Sequence, residues 1–320
     1  MALDLDTRLF LEAAAGAPGQ PIEEMSVADS RRAFEDLFIK LGPKAVEVGE
    51  VIDCHAPTSQ GERIPCRIYY RPRHPRPRTS GVGALVFAHG GGWSLGSLDS
   101  YDTVMRWICA RAGIVVASVA YRLAPEHKFP SQISDLSRAL AWFRNTAERF
   151  GVNPRRIAIG GDSCGGTLAT VVCLEDRGAG DPPLAAQVLF YPLLTLASDP
   201  LFPSRSQFGG GEYFLSQRGI DEAASRYLHA EDDVTAPRVS PLRTPDVSGL
   251  PPTLIVTAGF DPLRDEGAAY CDILRSAGVP TDYRCYESTI HGFVSFAGTL
   301  RIGREALDQS SNWLARRLAT

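Results

Sequence analysis

The sequence predicts an α/β fold: a mostly parallel central sheet flanked by helices, with a helical cap. From residue 83 onward, apolar strand-like runs alternate with helical segments, the rhythm of a sheet built from crossover units. Those runs are continuous in Val, Ile, Ala and Leu without polar alternation, as strands buried on both faces are. One interruption stands out. Residues 199–250 hold no clear strand and are rich in Pro, Gly and Phe, and an insertion of that length after a strand usually covers a site.

Taken in order, residues 1–45 read as helical and separate from the remainder of the chain. "SVADSRRAFEDLFIKLG" opens with Ser26 and Asp29 at capping-box spacing and closes on Gly42-Pro43,. Val27, Phe34, Leu37, Phe38 and Leu41 form one apolar helical stripe,. Two strand-like runs come next, "EVGEVIDCHA" and "ERIPCRIYYRP", separated by the turn-forming "PTSQG",. "RPRHPRPR" (71–78) is a solvated connector, because closely spaced prolines suit neither helix nor sheet,. Strands are then expected at 83–89, 114–122, 156–162, 185–192, 253–259 and 281–287. Helices are expected near 101–112, 131–150, 165–177 and 264–277, with a last one through "REALDQSSNWLARRLA". The expected organisation is an N-terminal cap segment (1–45), an α/β domain (46–198 and 251–320) and a cap insertion (199–250).

Composition narrows the function. With 44% hydrophobic residues, 320 residues can bury a large core, and a net charge of −4 offers no broad basic field for nucleic acid,. No stretch approaches the ~20 apolar residues of a membrane span. "MALDLDTRLF" carries two aspartates before its first arginine, the wrong charge for a signal peptide,. Seven cysteines, an odd number with no Cys-x-x-Cys pair, point to reduced thiols in the cytoplasm, with neither a disulfide framework nor a metal site,.

Three nucleophiles compete. "IAIGGDSCGG" (157–166) sets Ser163 beside Cys164, and "GGWSLG" (91–96) holds Ser94 in a second Gly-x-Ser-x-Gly. A serine nucleophile on a parallel sheet needs a sharp strand-to-helix turn with small neighbours, its following helix aimed at the developing oxyanion. Ser163 meets this: a strand precedes it, a helix begins at once after it, and Gly161 and Gly165 flank it. Ser94 lies several loop residues from any helix. Cys164 fails on register, since Asp162 stands two before it where a small residue is wanted. Ser163 is the expected nucleophile.

A serine hydroxyl needs a base, and the base an orienting carboxylate. Of six histidines, His291 in "STIHGF" lies past the last strand on a short loop with a glycine behind it. His55 and His74 precede the main sheet, His229 is in the insertion, and His89 and His127 lie upstream of Ser163. Asp261 stands just past a buried strand, with Pro262 fixing the turn. Asp265 and Glu266 fall in the next helix's first turn, where acids suit the dipole,. The chain order Ser163, Asp261, His291 is that of the α/β-hydrolase fold. "HGGGWSLG" (89–96) offers backbone N–H groups bare of side chains for an oxyanion,. It is no phosphate loop, since it has no Gly-Lys-Ser/Thr after it.

Five ordered motifs, "HGGG" (89–92), "YRLAPEHKFP" (121–130), "GDSCGG" (161–166), "DPLRDEG" (261–267) and "HGF" (291–293), resemble the hormone-sensitive-lipase-like family of bacterial carboxylesterases. The resemblance spans roughly residues 45–320. It implies a triad of Ser163, Asp261 and His291, and oxyanion N–H donors at Gly91, Gly92 and Cys164. His89 then holds the glycine loop in shape, and the N-terminal helices and insertion form a cap. It further implies a small ester substrate of short or medium acyl length, no metal or organic cofactor, and a homodimer through the sheet edge near "TDYRCYE". One departure is Cys164, where relatives usually carry alanine. A thiol near a helix N-terminus is expected to have a lowered pKa and to react with thiol reagents. Trp93, Phe208, Phe214 and Leu215 are candidate walls of an apolar pocket. An amidase or deacetylase on the same triad, or a silent ligand-binding module, are the rival readings.

Overall fold

The computed structural model describes residues 2–16, 20–57, 61, 63–71, 81–178, 182–199 and 201–319. The expected turn at 57–61 and the Arg/Pro connector at 71–78 lie largely outside these residues.

The expected strand-like runs become strands of one eight-stranded sheet among the described residues. The strands are β1 (Glu50–Pro57), β2 (Arg63–Tyr70), β3 (Val82–Ala88), β4 (Val115–Val119), β5 (Val152–Asp162), β6 (Ala186–Phe190), β7 (Thr253–Phe260) and β8 (Thr281–Ile290). Their order is β1-β2-β4-β3-β5-β6-β7-β8. β1 and β2 run antiparallel, and every pair from β4–β3 to β7–β8 is parallel. In β3, Ala84, Val86 and Ala88 enter one core while Leu85 and Phe87 enter the other. Period-two alternation persists, but both faces are dry, so polar residues have no place in it.

Helices cover both faces. On one side lie α4 (Ser131–Asn145), α5 (Cys164–Asp176) and α8 (Arg264–Ser276), through Leu136, Leu168 and Leu274. On the other lie α3 (Asp102–Ala112) and α9 (Arg301–Arg317), through Met105, Ile108, Leu307 and Leu314. β4 stops at Val119, three residues short of the expected end, where the chain leaves the sheet for the loop to Pro130.

The N-terminal segment forms α1 (Leu5–Ala15) and α2 (Val27–Leu41). Ser26 caps α2 by accepting from the Asp29 amide at 3.2 Å, and Phe34 and Phe38 of the stripe are buried,. Residues 199–250 carry α6 (Ser204–Phe208), α7 (Gln217–Tyr227) and a 3₁₀ turn (Pro241–Arg243), with no strand among the described residues.

Candidate active site

β5 delivers its last residue, Asp162, to the carboxyl edge of the sheet, and α5 begins at Cys164. Ser163 alone makes the turn, at φ 52° and ψ −124°, a conformation costly for a residue with a Cβ,. The flanking glycines are steric requirements. A Cβ on Gly165 would overlap the Ala88 carbonyl oxygen, and one on Gly161 would overlap that of Gly165. The turn fits only bare backbone on either side.

His291, one residue past β8, points Nε2 at Ser163 Oγ at 3.0 Å. Its Nδ1 lies 2.8 Å from Asp261 Oδ2. Asp261, just past β7, is fully buried, and its other oxygen accepts from the Leu263 amide at 2.8 Å. With Nδ1–H donated to the carboxylate, Nε2 presents its lone pair to the serine hydroxyl. The ends of β5, β7 and β8 thus bring Ser163, Asp261 and His291 into one hydrogen-bonded line. Ser94 is buried, and its hydroxyl meets no described partner.

The glycine loop passes beside this line. Gly91 (φ 110°) and Gly92 (φ 57°) take backbone angles that side chains resist,. Gly90 N donates to Asp162 Oδ1 at 2.7 Å, and Tyr101 Oη donates to Asp162 Oδ2 at 2.8 Å. Burial pushes the Asp162 carboxyl up to about 7, against the opposing pull of those hydrogen bonds,. Sequence reasoning missed Asp162 as an anchor, because its partners come from the loop after β3 and from the start of α3. His89 is sealed beneath the loop, its Nδ1 2.8 Å from Gly90 O and its ring stacked 4.4 Å from Tyr121. Desolvation lowers its pKa to about 4, so it stays neutral and bonds the loop backbone.

Cys164 departs from expectation. Its thiol is buried, and desolvation raises its pKa to about 12 instead of lowering it. Loss of hydration outweighs the helix N-terminus. Cys164 Sγ accepts from Trp93 N at 3.1 Å, so the thiol fastens the end of the glycine loop and is no reactive group.

A cavity of about 560 Å³ opens on Ser163, His291, Gly91 and Gly92. Phe214 and Leu215 line it, together with Phe34 and Phe38 of α2. Phe208 does not. It packs against Tyr213 and Phe260 under the Arg264 guanidinium, because α6 sits against the end of β7. Trp93 reaches the cavity, but its indole is wholly buried and stacked 4.2 Å from Tyr227. Asp265 and Glu266 do more than favour a dipole. Asp265 Oδ2 accepts from Ser204 N at 2.8 Å, and Glu266 accepts from Leu194 N and from Arg205, each at 2.8 Å. They tie the insertion to α8.

A family model described as the alpha/beta hydrolase fold matches residues 85–295. The carboxylic ester hydrolase LipN of Mycobacterium tuberculosis is 44% identical over 255 residues, covering 77% of this chain and 65% of LipN. The chain thus spans just under two thirds of that relative's length. Ethyl acetate hydrolase of Pseudomonas putida is 34% identical over 309 residues, 95% of each chain. The crystal structure of a hyperthermophilic esterase from Pyrobaculum calidifontis superposes with a TM-score of 0.90 at 36% identity, covering 99% of each chain. Fold and site define an α/β hydrolase. Within that fold, the chain belongs to the hormone-sensitive-lipase-like family of carboxylic ester hydrolases.

Proposed function

We propose that the chain is a serine carboxylesterase acting on esters of short to medium acyl chains, with Ser163 as nucleophile, His291 as base and Asp261 as its orienting carboxylate. The observation that carries this reading is the line from Asp261 through His291 to Ser163, closed at 2.8 and 3.0 Å.

His291 Nε2 takes the Ser163 hydroxyl proton as the oxygen adds to the acyl carbon. The carbonyl oxygen, now an oxyanion, accepts from the backbone N–H groups of Gly91, Gly92 and Cys164. Losing one such donor costs about 3–4 kcal/mol of transition-state stabilisation. Trp93 N is already engaged by the Cys164 thiol, which leaves the two glycines of the loop for the oxyanion. The tetrahedral adduct expels the alcohol, which His291 protonates. Water then attacks the acyl-enzyme with His291 again as base, and the acid leaves.

Residues 1–45 and 199–250 act as the cap, and 46–198 with 251–320 as the catalytic domain. In support, α2 and α7 both line the cavity over Ser163. β8 ends the sheet order, which supports a homodimer paired along that edge. Seven free thiols support residence in a reducing, cytoplasmic compartment,.

The test is hydrolysis of p-nitrophenyl esters of increasing acyl length by wild type, Ser163→Ala and Ser94→Ala. Ser163→Ala should lose roughly 10⁴-fold or more in kcat while Ser94→Ala stays active. The opposite pattern would refute the nucleophile assignment.

A further inference from the structure

One wall of the cavity does not match the rest. Where α2 and residues 214–215 line it with apolar side chains, α7 adds the charged Glu222 and Arg226 beside Gly219, Ile220 and Ala223. Their spacing puts them on one helical face. Ala223 fixes where that face rests, because a Cβ on Gly92 would stand 2.8 Å from the Ala223 Cβ. Arg226 comes three residues later, about 4.5 Å farther along the helix axis. Its guanidinium is therefore within reach of whatever lies against the glycine loop.

The Arg226 side chain is only 13% exposed, against 43% for Glu222. Its Nε donates to Glu222 Oε1 at 3.0 Å. Among the described residues nothing accepts from either Nη group. Arg226 is among the residues that line the cavity. A guanidinium held by its Nε presents the paired N–H edge that matches a carboxylate in bidentate fashion. Glu222 does not cancel this, because it is the more exposed and better screened partner. The other ionisable groups lining the cavity include Asp162 and His291. Asp162 already accepts from Gly90 and Tyr101, and His291 is held by Asp261.

We propose that Arg226 is a specificity residue that receives a carboxylate on the part of the substrate remote from the scissile bond, so that half-esters of dicarboxylic acids are preferred substrates. This rests on the esterase reading above. A neutral ester of equal length leaves the fork to water.

The test compares monoethyl adipate with ethyl hexanoate, the same acyl chain ending in a methyl group. Arg226→Met should lower kcat/KM for the half-ester by roughly tenfold to a hundredfold, mainly through KM, and leave ethyl hexanoate within about twofold. Arg226→Lys keeps the charge without the fork and should fall between, which separates lost recognition from a folding defect. Equal losses on both esters, or no loss on the half-ester, would overturn the proposal. Calorimetric binding of monoethyl adipate to Ser163→Ala reads the anion site without turnover. Binding that vanishes when Arg226→Met is added supports the site even if the wild type hydrolyses neither ester, a result that would sink the esterase reading alone. Binding that survives Arg226→Met would count against the site.

Discussion

The nucleophile turn and the elements above it are held in opposite ways. At the turn, bare backbone meets bare backbone: Gly161, Gly165 and the Ala88 carbonyl leave no room for a side chain, and Ser163 sits strained on rigid strands. The elements above are held by polar ties between residues far apart in the chain. Arg31 of α2 donates its Nε to Ser94 O at 2.9 Å and an Nη to Ala124 O at 3.0 Å, and also pairs with Glu126. Thr7 of α1 meets Thr289, two residues before His291, at 3.0 Å. Arg205 of α6 pairs with buried Glu266. The turn tolerates nothing larger, while the upper layer is fastened at points that can be cut one at a time.

That contrast ranks the expected effects. Gly165→Ala forces a backbone overlap and should cost about 3 kcal/mol or more of stability, with activity lost alongside. Denaturant unfolding reads the first and ester hydrolysis the second. A variant that folds and turns over normally would break the steric account of the turn.

Arg31→Ala leaves two backbone carbonyls behind the glycine loop without their charged donor. Roughly 1–3 kcal/mol is at stake, little of it from the Glu126 pair, whose carboxylate is half exposed,. The expected outcome is a drop in kcat/KM of about tenfold with the sheet intact by circular dichroism. An unchanged rate would detach α2 from the catalytic loop.

Asp162 belongs to both regions, being the last residue of β5 and the anchor of the glycine loop. Its folded-state pKa is raised to about 7 from an ordinary value of 3.8. Between those two values the folded state holds a proton that the unfolded chain has released. The resulting stability is fully present below about pH 4 and fades as pH rises to 7. Asp162→Asn abolishes that slope while keeping an acceptor oxygen. The Tm difference between variant and wild type should therefore move in the variant's favour from pH 5 to pH 8. A difference independent of pH would contradict the burial argument. Smallest is Cys164→Ala: with the thiol raised to about 12 and buried, activity should stay within about twofold. Iodoacetamide should leave the wild type active, and rapid inactivation through Cys164 would reverse the assignment of a structural thiol.

Legibility in the sequence divides along the same line. Ser163 and Asp261 can be read because each stands where a buried apolar run ends, His291 because it follows the last strand with a glycine behind it, and the nucleophile because Gly161 and Gly165 record a local steric demand. Asp162 is adjacent to Ser163, yet its anchoring of Gly90 depends on β3 lying beside β5, which no local pattern encodes. Cys164 misleads because a helix N-terminus is visible in sequence and the depth of burial is not. Phe208 and Phe214 are the same residue type six positions apart. One packs on Phe260 and the other walls the cavity, and only the path of the insertion between α6 and α7 separates them. Arg226 and Glu222 read as an ordinary helical pair until α7 is seen resting on Gly92.

The most direct measurement is to inactivate the protein with a fluorophosphonate and map the adduct by peptide mass spectrometry. A single adduct on Ser163, absent from His291→Ala, is the predicted result. An adduct on Ser94 or Cys164, or labelling of Ser163 that persists undiminished in His291→Ala, would contradict a nucleophile activated through His291.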